Sequence, residues 1–262
     1  MKRVLRSIKR RVQGPYEPDR FCFVSGSYRS GTTAVADWLG RQPDAASFSE
    51  SRLTMAAHAM MREVRRFKKL RADEAGVAMA LRRMLFAYYA DRSGGRRPGL
   101  LVDKEPLGPI ALPERNYGEF LGSVRRIFPE GKLVLMTRGP VPTLWSMTQR
   151  DYGHSLVDGP IRGYSLDEHT ENWVASAEAI LALAGEPGVY VCSFERLTAD
   201  PEEESRRLGA FLGIDSPVTF EPRPTKDPAF SPEQLDAIRA RTADTAAALD
   251  AAVEAQRRGE PR

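Results

Sequence analysis

Apolar and polar positions along this chain follow two alternating periods, and the switches between them predict the order of elements. Four short, continuously apolar runs read as buried strands: Arg20–Ser25, Leu100–Asp103, Lys132–Thr137 and Val189–Ser193. Longer segments with helical spacing lie between them. Thr32–Arg41 reads as a helix that stops before Pro43. Residues 53–71 place Leu53, Ala57, Met60, Met61, Val64, Phe67 and Leu70 on one helical stripe, opposite a basic face. A second helix over about 74–91 runs through Val77, Leu81, Met84, Leu85 and Tyr88 to the turn Ser93-Gly-Gly. Further helices are predicted over about 113–127, 140–150, Leu166–Ala184 and Pro201–Leu212, the last with Asp200 as cap and Pro201 in its first turn. Residues 152–165 are glycine-rich without periodicity and read as a long loop, whereas the Ala-rich tail from Ser231 reads as helix to about Gln256.

Apolar strands separated by helices predict an α/β fold, a three-layer arrangement of one parallel sheet flanked by helices on both faces. Residues 20–262 are expected to form one domain, with a helical insertion at about 53–92 and a C-terminal helix at about 232–257. Residues 1–19 form a basic arm. In such sheets ligands bind beyond the carboxyl ends of the strands, so the chemistry is expected in the turns that follow them.

Composition changes this picture in one respect. The 262 residues are 42% apolar and 28% charged, an ordinary globular balance, with a formal net charge of +4. Lys2, Arg3, Arg6, Lys9, Arg10 and Arg11 carry more than that excess; without them 33 basic residues face 35 acidic ones. The body therefore gives no support for a duplex-DNA binder, and no nucleic-acid polymer is expected as partner. Val4, Leu5, Ile8 and Val12 give residues 1–13 the spacing of a short amphipathic helix, either solvated or in weak contact with a membrane surface. Charge interrupts that stretch too often for a signal peptide, and no run approaches the ~20 apolar residues of a membrane span. Cys22 and Cys192 sit inside apolar strands, as buried free thiols would in a reducing, cytoplasmic compartment.

The strongest local signal is Gly26-Ser27-Tyr28-Arg29-Ser30-Gly31-Thr32-Thr33, placed between strand and helix. Its glycines permit a tight loop whose N–H groups, with the helix N-terminus, can cradle an anion. The glycine spacing is that of a Walker A loop, but Thr32 stands where a nucleotide triphosphatase has Lys, and the positive charge sits at Arg29 instead. A second cluster follows Lys132–Thr137. Ser146 and Arg150 are four apart on one helical face, and Arg138 at the strand end can converge with them on a second anion.

These residues resemble those of sulfotransferases that use 3′-phosphoadenylyl sulfate, in the branch of the tyrosylprotein and carbohydrate enzymes. The loop Ser27, Tyr28, Arg29, Ser30, Gly31, Thr32, Thr33 is similar to that family's 5′-phosphosulfate loop. Arg138 and Ser146, eight apart after a strand, are similar to its 3′-phosphate motif. Glu50 follows Arg29 by 21 residues, as a Glu does in the tyrosylprotein type, and Lys104-Glu105-Pro106 matches its Lys-acid-Pro. Phe194-Glu-Arg-Leu197, Pro201 and Phe211-Leu-Gly-Ile214 resemble a C-terminal segment, with Phe194 in place of a frequent Tyr.

The resemblance covers about Phe21 to Ile214 and implies a P-loop NTPase-like sulfotransferase fold. It implies 3′-phosphoadenylyl sulfate as sulfuryl donor, held by the loop with Arg138, Ser146, Arg150 and Phe194, and no metal, since fixed cations do the neutralising. The reading adds Lys226 as a candidate cap on the phosphates. The expected reaction is in-line transfer to a hydroxyl or amine of a small-molecule or carbohydrate acceptor. In it Glu50 serves as general base, while Arg29 and Lys104 stabilise developing charge. His154, Asp151 and Tyr152 could line the acceptor pocket; His58 is expected in packing or at the surface, and His169 in solvent. The basic face of 62–71 reads as a solvated face or as a lid that attracts an anionic acceptor. The rival readings are a P-loop kinase or other phosphotransferase, and a non-catalytic nucleotide-binding or membrane-surface module.

Overall fold

The computed structural model describes residues 15–71, 73–109, 112, 114–149, 163–215, 217–222 and 227–259. The arm before residue 15, Arg150, Asp151, Tyr152, His154 and Lys226 lie outside the described residues.

Five parallel strands form one sheet: β1 (Arg20–Gly26), β2 (Ala45–Ser49), β3 (Leu100–Lys104), β4 (Lys132–Thr137) and β5 (Val189–Ser193), in the order β2-β3-β1-β4-β5. Connections lead from β1 toward one edge and from β4 toward the other, so the turns after β1 and β4 emerge side by side. That reversal is where a parallel sheet opens a crevice for ligands.

Alternation along the strands builds two cores. Phe21 and Phe23 of β1 face one side with Leu101, Leu133, Leu135 and Val191. Cys22 and Val24 face the other with Val102, Val134, Met136 and Cys192. Both cysteines are buried and unbridged. Ten helices follow in chain order among the described residues: α1 (Thr32–Gly40), α2 (Leu53–Arg66), α3 (Lys68–Arg71), α4 (Glu74–Arg92), α5 (Tyr117–Ile127), α6 (Pro140–Thr148), α7 (Leu166–Leu181), α8 (Phe194–Ala199), α9 (Pro201–Leu212) and α10 (Pro232–Arg258). Helices cover both faces, as continuous apolar strands require. None of the described helices is long and apolar enough to cross a membrane.

Three expectations are corrected. β2 lacked a signal because Ala45-Ala-Ser-Phe-Ser49 is a half-buried edge strand without an apolar run. The helix expected over 53–71 breaks at Phe67, whose backbone is extended (φ −104°, ψ 116°); the turn lets Arg65 reach Glu74 at 2.9 Å. The helix expected from 113 begins at Tyr117, after Arg115 takes a left-handed φ of 51°. Capping agrees with expectation at Asp200, whose carboxylate accepts the Glu203 N–H at 3.3 Å.

β5 is the far edge strand, and its outer backbone is paired by a side chain. The Gln256 amide of α10 accepts the Val191 N–H at 2.8 Å and donates to the Val191 carbonyl at 3.2 Å. Ion pairs Arg196–Glu254 and Arg257–Glu204 hold the same end of α10 to α8 and α9. Gln256→Ala leaves a buried N–H and carbonyl unpaired and is expected to lower stability by about 1–3 kcal/mol. A denaturant midpoint that falls at unchanged slope checks this.

Candidate active site

The turn after β1 is folded on itself by its serines. The Ser30 N–H and hydroxyl both donate to the Ser27 carbonyl, at 3.1 and 2.6 Å. Both serines are buried, and the Ser27 hydroxyl has no hydrogen-bond partner. Arg29 takes φ 69° and Gly31 φ 97°, which opens α1 without a side-chain cap or an acid in its first turn. The first N–H groups of α1 are therefore left to an outside acceptor, and the local charge is positive. A Cβ on Gly31 would lie 2.4 Å from the Phe194 ring, so only glycine permits this approach of the loop to α8.

Arg29 and Arg138 are brought together by the adjacency of β1 and β4. Arg29 Nε donates to the Ser146 hydroxyl at 2.9 Å. Arg138 donates to the Arg29 carbonyl at 3.3 Å, and its guanidinium lies 4.8 Å over the Phe194 ring. Burial, the largest influence, lowers the Arg138 pKa, the nearby charge of Glu195 opposes that and Arg29 adds to it. Neither guanidinium pairs with a described carboxylate. A cleft of about 530 Å³ opens on them, with Thr32, Thr33 and Ser146 beside the cations and Trp38, Phe194 and Phe220 supplying aromatic surface. Cations, hydroxyls and unpaired N–H groups at one end with aromatic rings at the other suit a phosphorylated nucleotide. Sequence reasoning missed Trp38 and Phe220, because a Trp on an apolar helix face reads as core.

A second pocket of about 170 Å³ lies on the other side of Arg29, Thr32 and Thr33, which line both. Glu50, Arg52, Lys104 and Tyr28 complete it. Tyr28 thus faces away from the larger cleft, and its hydroxyl meets His169 Nδ1 at 2.5 Å. His169 is therefore buried rather than solvated, and burial pushes its pKa down to about 4, so the ring is neutral at pH 7. His58 packs as expected, 2.9 Å from the Ser123 hydroxyl.

Lys104 ends β3 with its side chain 1% exposed and donates to Glu50 Oε1 at 2.6 Å. The Glu50 N–H donates to the Lys104 carbonyl at 2.8 Å, so backbone and side chain register together. Burial raises the Glu50 pKa, but the Lys104 hydrogen bond and charge with the Arg52 charge outweigh it, and the net shift is downward. Asp103, fully buried beneath, is pushed up to about 6 by burial against the hydrogen bonds it accepts, including one from Thr54. Part of the basic face of 62–71 is paired: Arg62 with Glu114 at 2.9 Å, Arg65 with Glu74 and Arg66 with Glu63. Glu114 and Glu74 reach Arg62 and Arg65 from beyond the helix, whereas Glu63 meets Arg66 within it. No group of three or more His, Cys, Asp or Glu able to hold a metal occurs among the described residues.

A parallel sheet flanked by helices, with a glycine-framed loop after its first strand, a second cationic turn beside it and two pockets meeting between them, defines a P-loop-like α/β fold. The profile of the sulfotransferase family matches residues 22–218, and the chain belongs to that family. It is 28% identical to protein-tyrosine sulfotransferase 1 of Danio rerio over 204 residues, covering 73% of this chain and 52% of that protein. It is 26% identical to the nodulation protein NoeE of Sinorhizobium fredii over 222 residues, covering 74% and 50%. The chain thus spans about half the length of these relatives. A sulfotransferase from Alicyclobacillus acidocaldarius shares the fold with TM-score 0.57 at 18% identity, over 91% of this chain and 96% of that one. The sulfotransferase domain of the Synechococcus PCC 7002 olefin synthase does so with TM-score 0.55 at 18% identity, over 91% and 96%.

Lys104→Met removes the strongest influence holding Glu50 down, so the Glu50 carboxyl should titrate at higher pH, as ¹³C NMR would show. In the natural chain the depressed pKa contributes stability that is present above the ordinary carboxylate value and lost as pH falls through the folded value. The variant should lose that acid-side dependence.

Proposed function

We propose that the chain transfers the sulfuryl group of 3′-phosphoadenylyl sulfate to a hydroxyl or amine of a carbohydrate or small metabolite, leaving adenosine 3′,5′-bisphosphate. The observation that carries this reading is the meeting of a cationic, aromatic-lined cleft and a carboxylate-bearing pocket at Arg29, Thr32 and Thr33.

The donor supplies an activated sulfuryl group whose leaving group is a phosphate. Arg138, with Ser146, is placed to bind the 3′-phosphate. Thr32, Thr33 and the first N–H groups of α1 donate to the 5′-phosphate. Phe194 is held against Gly31 and under Arg138, which fixes the cleft wall in advance of binding. Arg29 lines both pockets, so its guanidinium neutralises charge that builds on the bridging and sulfuryl oxygens. Lys104 approaches the same region from the acceptor side. Glu50, ionised at neutral pH and 44% exposed at its side chain, takes the proton that the acceptor must lose. The depressed pKa makes it a weak base that stays ionised at neutral pH.

The modest second pocket supports a small acceptor rather than a nucleic-acid polymer. Weak membrane-surface contact through residues 1–13 and a cytoplasmic setting belong to the same proposal. Thr32, standing where a triphosphatase has Lys, weighs against the phosphotransferase reading.

Screening acceptors with labelled phosphosulfate donor and reading label transfer by mass tests the activity; magnesium-dependent ATP turnover without sulfuryl transfer would reject it. Glu50→Gln is expected to cut turnover about 10²–10⁴-fold with bisphosphate affinity nearly unchanged. Arg138→Ala is expected to weaken adenosine 3′,5′-bisphosphate about tenfold or more, and a nucleotide without the 3′-phosphate far less, by calorimetry. Equal losses for both ligands would contradict that role.

A further inference from the structure

Glu105 follows β3 immediately and is fully buried. Its backbone is rooted on β1: its N–H donates to the Val24 carbonyl at 3.1 Å, and its carbonyl accepts the Ser25 hydroxyl at 2.7 Å. Its carboxylate points the other way, into the turn between β2 and α2. There Oε1 accepts Arg52 Nη1 at 2.5 Å and Oε2 accepts the Arg52 N–H at 3.2 Å. One buried group thus grips both the backbone and the head of Arg52. Glu50 and Arg52 both adopt left-handed backbone, φ 53° and 61°, which L residues hold only when surrounding contacts impose it. Arg52 Nη2 then reaches Glu50 Oε2 at 3.4 Å, while Lys104 takes Oε1.

We propose that Glu105 is a positioning residue for the acceptor pocket: by holding Arg52 Nη1 it limits Arg52 to one long contact on Glu50, so that the Glu50 carboxylate keeps a lone pair for the acceptor proton. The proposal rests on the reading of Glu50 as the base. Its chemistry is the geometry of the guanidinium fork. An Arg released from Glu105 can close on Glu50 as a bidentate pair, occupying both oxygens and weakening the base. At present the fork is divided, with Nη1 on Glu105 and Nη2 at the longer distance to Glu50.

Protonation acts on the same clamp. Burial, opposed by Arg52 and assisted by Asp103 and Glu50, pushes the Glu105 carboxyl up to about 7. The charged groups facing it are Arg52 and Glu50 from the turn before α2 and Asp103 from β3, with Lys104 of β3 and Tyr89 of α4 bordering Asp103. As pH falls through that value Glu105 takes up a proton, its hold on Arg52 weakens and turnover declines, well above the pH at which Glu50 itself titrates.

The test compares the natural chain with Glu105→Gln, Arg52→Ala and the double variant. Glu105→Gln should lower kcat about 10- to 100-fold, the scale of a small misplacement at a reacting group, with adenosine 3′,5′-bisphosphate affinity within twofold of the natural chain. The acid limb of kcat near pH 7 should vanish. In the Arg52→Ala background the same replacement should have little further effect, because Glu105 acts through Arg52. Unchanged kcat and pH profile, a parallel loss of bisphosphate affinity, or full additivity would each overturn the proposal. Should no acceptor be sulfated by the natural chain, the reading of function fails by itself. The clamp is then decided by ¹³C NMR of the Glu50 carboxyl, which should show a second inflection near pH 7 that Glu105→Gln removes; its absence in the natural chain overturns the proposal.

Discussion

The close approach of the turn after β1 to the start of α8 is the constraint from which the site follows. Gly31 sits against the Phe194 ring at a distance no side chain would allow. That contact sets the first N–H groups of α1 toward the cleft, and the same ring supports the Arg138 guanidinium from beneath. The approach is possible because β1 and β4 are neighbours, with β5 outside them, so that α8 follows directly beside the loop. Gly26, whose Cβ would fall 2.3 Å from the Met136 carbonyl, marks the same crowding one turn earlier.

A buried charge must be compensated, and this decides the arrangement around Lys104. Its side chain is almost wholly removed from solvent; the ammonium contacts Glu50 and acts on Asp103, while Glu105 next in the chain meets Arg52 instead, and burial alone would tend to neutralise all three carboxylates. The ones deep in the fold, Asp103 and Glu105, are pushed up. Glu50, nearer the opening and in direct contact with the ammonium, is pulled down. Carboxylates close in space thus carry different proton affinities because they differ in depth and in the cation they touch. In the larger cleft the logic is reversed: Arg29 and Arg138 line it without a described carboxylate partner.

Much of the architecture was legible in the chain. Phe21 to Val24 alternates between the two faces while remaining apolar throughout, which only a strand covered on both sides requires. β2 was not legible, since an edge strand of small residues pairs through its backbone and needs no apolar run. The charged neighbours of His169 suggest a solvated ring, yet the turn of α7 that carries it faces inward onto Tyr28. The basic face after residue 62 was read without Glu114, Glu119 and Glu74, which arrive from elsewhere in the fold. Glu105 stands in the Lys-acid-Pro segment, but no spacing rule links it to Arg52 across 53 residues.

By itself the sequence determined the residue types at each strand end: a glycine-framed loop with Arg29, a second turn with Arg138 and Ser146, a Glu and a Lys at family spacing. These are local properties, carried by backbone freedom and side-chain chemistry at adjacent positions. Tertiary structure decided which charges remain free. Arg29 and Arg138 face a cleft without a described counter-ion, the arginines of α2 find theirs, and Arg52 is divided between two carboxylates. Pairing depends on distance in space and on depth from water, and neither is encoded at any single position.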